Sequence, residues 1–310
     1  MKFSVTIPAY KAKYLYDAVL SIINQTCQDF EIIIVDDASP EDLKTIVNKF
    51  SDPRIHYYRN DHNCGAINVV DNWNICLSYA LGDYVICMGD DDMLLPNCLE
   101  NYDKLIAKYP GLGVYHAWTE IIDEEGNFFK MQHPRPEYES VYSMIWSRWN
   151  GRTRQYIGDF CFDTELLKAD GGYYKLPLAW GSDDITAVRA AARKGIANMQ
   201  TLGFAYRENR FTITNTGNDY IKLQAIKSEK EWYNRFFIDT QSNELSKEDN
   251  LFLQDLQRSI DSYYDKLMKF SFINGISLKT IIPFYKLSRK FNVPFILYVK
   301  YIVLAVLTKR

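Results

Sequence analysis

Three groups of neighbouring carboxylates could do chemistry: Asp36-Asp37, Asp90-Asp91-Asp92 and Asp183-Asp184. Asp36 and Asp37 close an apolar run, and a carboxylate at the carboxyl end of a buried strand can accept from a uracil imide or a ribose hydroxyl. Asp90, Asp91 and Asp92 follow the apolar residues 84–88 and Gly89; three adjacent carboxylates repel one another unless a cation neutralises them. Hard oxygen donors suit Mn2+ or Mg2+, which keep positions open for phosphates and act as a Lewis acid toward a departing diphosphate. Asp183 and Asp184, after Trp180-Gly181-Ser182, open a helical segment, where a carboxylate in a partly apolar pocket serves as general base toward an acceptor hydroxyl. Each group also has a plainer reading. Asp36-Asp37 beside Ser39-Pro40 suits a turn, residues 90–92 suit a solvated helix N-terminus, and Ser182-Asp183-Asp184 suits a helix cap. Three independent caps at one edge of one sheet are a weaker account than one shared site.

The elements that hold these groups follow from hydrophobic periodicity. Residues 3–8, 30–36, 55–58 and 84–88 read as strands, and residues 14–25, 40–50 and 66–81 as the helices between them. Ser39 is expected as N-cap and Pro40 at the first position of the second helix. Ile67, Val70, Trp73 and Leu77 mark the core face of the third, and Gly82 its end. Beyond them come a helix at 96–109, a strand at 113–117 and a hairpin at 120–130. Residues 132–154 read as an irregular stretch of the acceptor or lid type, before a helix at 185–194 and a strand at 196–206. This alternation predicts an α/β domain with a mixed, mostly parallel sheet flanked by helices over residues 1–215. A helical C-terminal region follows over 216–310, with two long helices broken near 241–245.

The chain has 310 residues, 47% of them apolar and 24% charged, enough for a full core and an appendage. Its six cysteines form no CxxC pair and its four histidines lack metal-ligand spacing, which points to a reduced, cytoplasmic protein. Met1 runs straight into a strand-like segment, so no signal peptide is expected. No G-x-x-x-x-G-K-[ST] segment or Rossmann glycine run is present, and Gly171-Gly172 reads as a turn; nothing supports an ATPase or dehydrogenase. A nucleotidyltransferase would carry a Gly-rich basic loop after the first strand, where this chain has Ala9-Tyr10-Lys11-Ala12-Lys13. The net charge of −3 hides an asymmetry. Residues 266–310 hold nine basic and no acidic residues, leaving about −12 on the rest. Residues 294–307 are almost wholly apolar but reach only about 21 Å as a helix, short of a hydrocarbon core of about 30 Å. With Tyr298 and Tyr301 as interfacial aromatics, this tail reads as an in-plane anchor on an anionic membrane, or else as a helix docked on protein.

The residues resemble the family 2 glycosyltransferases of the GT-A, Rossmann-like fold, many of which build bacterial surface polysaccharides. The matching pieces are Ser4-Val5-Thr6-Ile7-Pro8-Ala9-Tyr10, Ser21-Ile22-Ile23-Asn24-Gln25-Thr26 and Phe30-Glu31-Ile32-Ile33-Ile34-Val35-Asp36-Asp37-Ala38-Ser39. Asn63-Cys64-Gly65, Asn72-Trp73-Asn74 and Ala80 to Val85 continue the match into Gly89-Asp90-Asp91-Asp92. The resemblance implies that Pro8, Ala9 and Tyr10 line a nucleotide pocket and that Asp37 or Asp36 meets the base. It implies a DXD-like role for the acid cluster: Asp91 as metal ligand, Asp90 on ribose or sugar, and Asp92 in the last acidic place and a second metal ligand. Gly89 stands where the family usually has Asp. Asp183-Asp184 falls at the family's Glu-Asp pair, which implies the general base of an inverting transfer; counting from Gly195 favours Asp184 and counting from Arg189 favours Asp183. Tyr206-Arg207 matches the family's Tyr-Arg, with Asn209 where a His often follows.

The expectation is thus an inverting, metal-dependent hexosyl- or N-acetylhexosaminyl-transferase. It would use a nucleotide-diphosphate sugar, a UDP-sugar first, and a glycan or lipid-linked acceptor, at the inner face of the cell membrane. The alternative from another class is a non-catalytic scaffold of the same fold in a polysaccharide-assembly complex. No nucleic-acid partner is expected. Trp118, Trp146, Trp149 and Trp180 are aromatic enough to stack on sugars or simply to pack.

Overall fold

A computed structural model describes residues 1–208, 219–240 and 245–308; Asn209 and the expected break at 241–244 lie outside them. In chain order the elements begin β1 (Phe3–Ala9), α1 (Leu15–Ile23), β2 (Phe30–Asp36), α2 (Leu43–Val47), β3 (Ile55–Arg59), α3 (Val69–Tyr79) and β4 (Tyr84–Cys87). Next come β5 (Met93–Leu94), α4 (Cys98–Lys108), β6 (Val114–Ile122), β7 (Phe128–Met131), β8 (Tyr138–Glu139) and α5 (Val141–Trp149). β9 (Phe160–Asp163), α6 (Thr164–Ala169), α7 (Ser182–Ala191) and β10 (Ile196–Arg207) complete the sheet-bearing part. The chain divides into two compact units, Met1–Lys175 with Ser182–Arg210 and Leu176–Gly181 with Phe211–Arg310.

The first unit is built on one sheet of order β3-β2-β1-β4-β9-β6-β10-β5. β1, β2, β3 and β4 run parallel, β6 and β10 run parallel to each other, and β9 is antiparallel to both β4 and β6. Six strands therefore end at one edge. β1 and β2 are almost wholly buried because helices cover both faces, which is why they read as continuous apolar runs. Their register, Ala9 opposite Asp36, brings both carboxyl ends level. Gly82 lets the chain enter β4 against β1: a Cβ there would lie 2.7 Å from the Phe3 carbonyl carbon and the Ser4 nitrogen.

Several local expectations are corrected. α2 has only five residues and is capped by Asp42, which accepts from Thr45 N, rather than by Ser39. Ser39 instead donates to the Tyr10 carbonyl at 2.6 Å, which ties it to the loop after β1. α3 starts late and leaves Ile67 exposed, while Ala80, not Gly82, is its C-cap. The stretch 132–154 contains β8 and α5, a helix capped by Ser140 accepting from Ser143 N. β6 extends to Ile122, and β9 was not expected at all.

The second unit is helical: α8 (Asp219–Asp239), α9 (Lys247–Gly275), α10 (Ile281–Lys290) and α11 (Phe295–Thr308). Ser246 caps α9 by accepting from Asp249 N. Leu223, Phe272, Phe284, Leu287 and Tyr298 form its apolar centre. Tyr298, expected at an interface, is buried and donates its hydroxyl to the Ile281 carbonyl. Among the described residues no helix is long and apolar enough to cross a membrane.

Candidate active site

At the shared edge, Asp36 is fully buried and its carboxylate is committed to the protein: Oδ1 accepts from Ser39 N at 2.7 Å, and Oδ2 from the Tyr57 hydroxyl at 2.5 Å and from Arg59 Nη1. Burial, and then the bond to Asp36, pushes the Tyr57 hydroxyl up to about 12. Asp37 N donates to the Ala9 carbonyl at 2.9 Å, fixing the loop after β2 to β1. The Asp37 side chain accepts from Asn60 Nδ2 at 2.8 Å and from Cys64 N at 3.0 Å. Ala38 between them and Ser39 takes a positive φ of 50°. Pro8 is half-buried, Ala9 buried, and Tyr10 exposed with its ring open to solvent.

Asp90 Oδ2 accepts from both Tyr10 N and Lys11 N at 2.6 Å, so this carboxylate clamps the loop after β1. Asp92 Oδ1 accepts from Arg207 N at 2.9 Å. Burial first, and Asp91 second, raises the proton affinity of both Asp90 and Asp92 well above that of a free carboxylate. Asp91 is the half-buried member of the three. Gly89, the departure from the family pattern, leaves room for its neighbours' carboxylates: a Cβ would sit 2.9 Å from Asp92 Oδ2 and 3.0 Å from Asp91 Oδ1. Both oxygens lie beside the same point at Gly89, where a shared cation would relieve the repulsion between the two carboxylates. Among the described residues no three His, Cys, Asp or Glu side chains could hold a metal ion alone. The donor set therefore fits Mg2+ or Mn2+ held by one or two carboxylates with the rest of its shell from water and phosphate.

α7 feeds β10 through the turn at Gly195, so its first turn, with Asp183 and Asp184, lies toward the edge where the six strands end. Asp184 is buried and paired with Arg148 of α5, whose Nε stands 3.1 Å from Oδ1 and Nη2 3.1 Å from Oδ2. Asp183 is half-buried and its Oδ1 accepts the Asp184 N–H at 3.0 Å. Burial, and then the neighbouring Asp184 charge, raises the Asp183 carboxyl, with Arg148 acting against them. A carboxylate with an open oxygen and raised proton affinity is suited to proton abstraction; one locked in a bidentate ion pair is suited to holding geometry.

Two further residues bear on the site, Arg207, which the sequence reading gave only as a family match, and Asp159, which it missed. Arg207, at the end of β10, donates Nε to the Asp91 carbonyl at 2.8 Å and Nη1 to the carbonyls of Asp123 and Glu124, with its guanidinium 4.3 Å from the centre of the Tyr14 ring. Its match to the family's Tyr-Arg was a usable signal. Asp159, a single acid in an irregular stretch, is wholly buried and electrostatically coupled to Asp183 and Asp184.

The model of glycosyl transferase family 2 matches residues 4–168, more than half of the chain. The chain belongs to glycosyl transferase family 2. The family match spans β1 to most of α6 and includes both acid groups of the first four strands. Curated relatives include an uncharacterised glycosyltransferase of Methanocaldococcus jannaschii, 32% identical over 42% of this chain and 46% of its own. A GalNAc(5)-diNAcBac-PP-undecaprenol beta-1,3-glucosyltransferase of Campylobacter jejuni is 34% identical over 42% of this chain and 41% of its own. The chain thus spans less than half the length of these relatives. Among solved structures, S. aureus TarS 1–349 in complex with UDP-GlcNAc superposes with a TM-score of 0.67 at 16% identity, over 90% of this chain and 77% of that one. That likeness shows the GT-A fold.

Proposed function

We propose that this family 2 chain transfers a sugar, with inversion, from a UDP-sugar to a hydroxyl of a glycan or lipid-linked acceptor. The observation that supports it is that the Asp91 and Asp92 carboxylates and the first turn of α7, with the half-buried Asp183 whose raised proton affinity suits a base, lie toward one edge of the sheet. Pro8, Ala9 and Tyr10 wall the nucleotide, the exposed Tyr10 ring being free to stack, and Asp37 presents its carboxylate to base or ribose. Asp36 and Asp90 hold that wall in place. Asp91 and Asp92 would hold Mn2+ or Mg2+, which supplies charge neutralisation on the departing diphosphate. Asp183 takes the proton from the acceptor hydroxyl while Arg148 and Asp184 keep it in position. UDP-GlcNAc in TarS supports the choice of uridine donors, and the undecaprenol-linked acceptor named for the Campylobacter relative supports a lipid-linked acceptor.

Calorimetric titration of a panel of nucleotide-diphosphate sugars, with and without Mn2+, tests the donor site. Metal-dependent binding of one donor, lost in Asp91→Ala, is expected; well-folded protein that binds none refutes the reading and favours a scaffold.

The same reading places the chain at the inner face of the cell membrane. In α10 and α11, Ile282, Phe295, Ile296, Val303 and Leu307 are exposed beside Lys286, Arg289, Lys290 and Lys300, the pairing of apolar and basic surface that favours an anionic interface. Co-sedimentation with phosphatidylglycerol vesicles, absent with phosphatidylcholine alone, is expected; equal behaviour with both excludes it.

A further inference from the structure

Within the helical unit, the α9–α10 turn and the second half of α11 enclose a groove that the proposed transfer does not use. It measures about 440 Å³, and its walls are Ile276, Ile281, Ile302, Ala305 and Val306, with Lys279 on the rim. That volume is in the range of sites that hold a small molecule. Ile276 and Ala305 are buried, Ile281 and Ile302 half-buried, and Val306 is 53% exposed, so the groove runs from an open mouth to a packed floor. The floor rests on the apolar centre of the unit. The Phe272 ring stacks 5.7 Å from that of Tyr301, and Gly275 lets the end of α9 close on α10, where a Cβ would collide with the Phe284 ring.

The turn beside the groove is held by its own polar groups. Thr280 Oγ1 accepts from Ser277 N at 2.7 Å and donates to the Gly275 carbonyl at 2.6 Å, while Thr280 N donates to the Ser277 carbonyl at 3.1 Å. At the tip, Leu278 is 95% exposed. A leucine held in water beside a preformed apolar groove marks a surface that meets something apolar. The charge around it narrows the choice. Residues 266–310 hold nine basic residues and no acidic one, and Lys279, Lys286, Arg289, Lys290 and Lys300 are all exposed. A second copy of this chain would bring like charge against like. An anionic headgroup that carries an apolar chain answers both the groove and the charge.

We propose that this groove is a binding site for one anionic phospholipid, which seats an acyl chain between Ile276, Ile302 and Val306 and sets its phosphate against Lys279. The lipid is then a ligand of the protein, beyond the surface contact that α10 and α11 make with a bilayer. The site rests on the membrane-face reading for its supply of lipid. Its test needs no membrane.

The full chain is titrated calorimetrically with short-chain phosphatidylglycerols, dihexanoyl to dioctanoyl, below their micelle concentrations and with no vesicles present. Saturable binding of a single lipid is expected, tightening about fourfold for each methylene added to the seated chain. Lys279→Ala should weaken it about fivefold, and Val306→Trp, whose ring fills the groove, by roughly tenfold or more. Glycerol 1-phosphate, which offers the phosphate without a chain, should not bind. Folded protein that binds no monomeric lipid, or binds it equally well in Val306→Trp, overturns the proposal. Co-sedimentation with phosphatidylglycerol vesicles but no monomer binding keeps the membrane-face reading and overturns the site; monomer binding without co-sedimentation keeps the site and removes that reading. A dimer in sedimentation velocity that Val306→Trp abolishes gives the groove to a second copy and likewise overturns the proposal. Lys279→Glu, on the exposed turn, is the second variant if Val306→Trp does not fold, and should weaken binding more than Lys279→Ala.

Discussion

Asp90 offers the sharpest separation between a ligand and a strut. If its carboxylate serves to clamp Tyr10 N and Lys11 N, each at 2.6 Å, then Asp90→Asn keeps an acceptor oxygen for both amides and Asp90→Ala keeps none. Hydrogen bonds to a charged group contribute about 1.5–3 kcal/mol each, so truncation removes a gross ~3–6 kcal/mol. Part of this is offset, because burial and the Asp91 charge disfavour the ionised form. A net loss of ~1–3 kcal/mol remains, which corresponds to UDP binding weakened about 5- to 150-fold through a slack nucleotide wall. Asp90→Asn should lose under ~1 kcal/mol, or about fivefold. Calorimetry with UDP and Mn2+ on the two variants measures both numbers. Equal losses of about a hundredfold or more in Asn and Ala would refute the clamp, since only a direct role for the negative charge treats the two substitutions alike.

Asp183→Asn should lower the transfer rate by about 10²–10⁴-fold with donor affinity nearly unchanged; a matching loss in UDP titration would assign Asp183 to donor binding. Because burial and Asp184 raise the Asp183 proton affinity, the active, deprotonated form is lost as pH falls at values well above the ~4 of a free aspartate, and a pH profile flat from 5 to 9 would contradict this. Gly172 has φ +83° and its Cβ would lie 2.2 Å from Asn74 Oδ1, so Gly172→Ala should cost about 1–3 kcal/mol, seen as a melting temperature lower by several degrees; an unchanged melting curve would mean that α3 yields to the methyl group.

The elements legible in the sequence are those whose signal is local. β1, β2 and β4 are runs of buried apolar residues, and the acids at their ends are placed by the parallel topology those runs imply. β9 was hidden because Phe-Cys-Phe-Asp is four residues long and becomes a strand only by lying between β4 and β6, two partners remote in sequence. α5 was hidden by its aromatic content, and with it the Arg148 partner of Asp184. The split role of the paired acids was equally remote: Asp36 looks equivalent to Asp37 until Tyr57 and Arg59 of β3 occupy it. Asp159 carries no local pattern at all, since its side-chain neighbours Thr119 and His116 lie on β6, remote in sequence.

Arg207 joins three parts of the first unit. Its backbone holds Asp92, its Nε holds the Asp91 carbonyl, and its Nη1 holds the turn between β6 and β7. The bonds from Nε and Nη1 move together because the guanidinium is planar and rigid, whereas the backbone bond to Asp92 is separated from them by the rotatable bonds of the side chain. Removing the side chain would therefore release the Asp91 carbonyl and the turn between β6 and β7 in one step while leaving the hold on Asp92 intact.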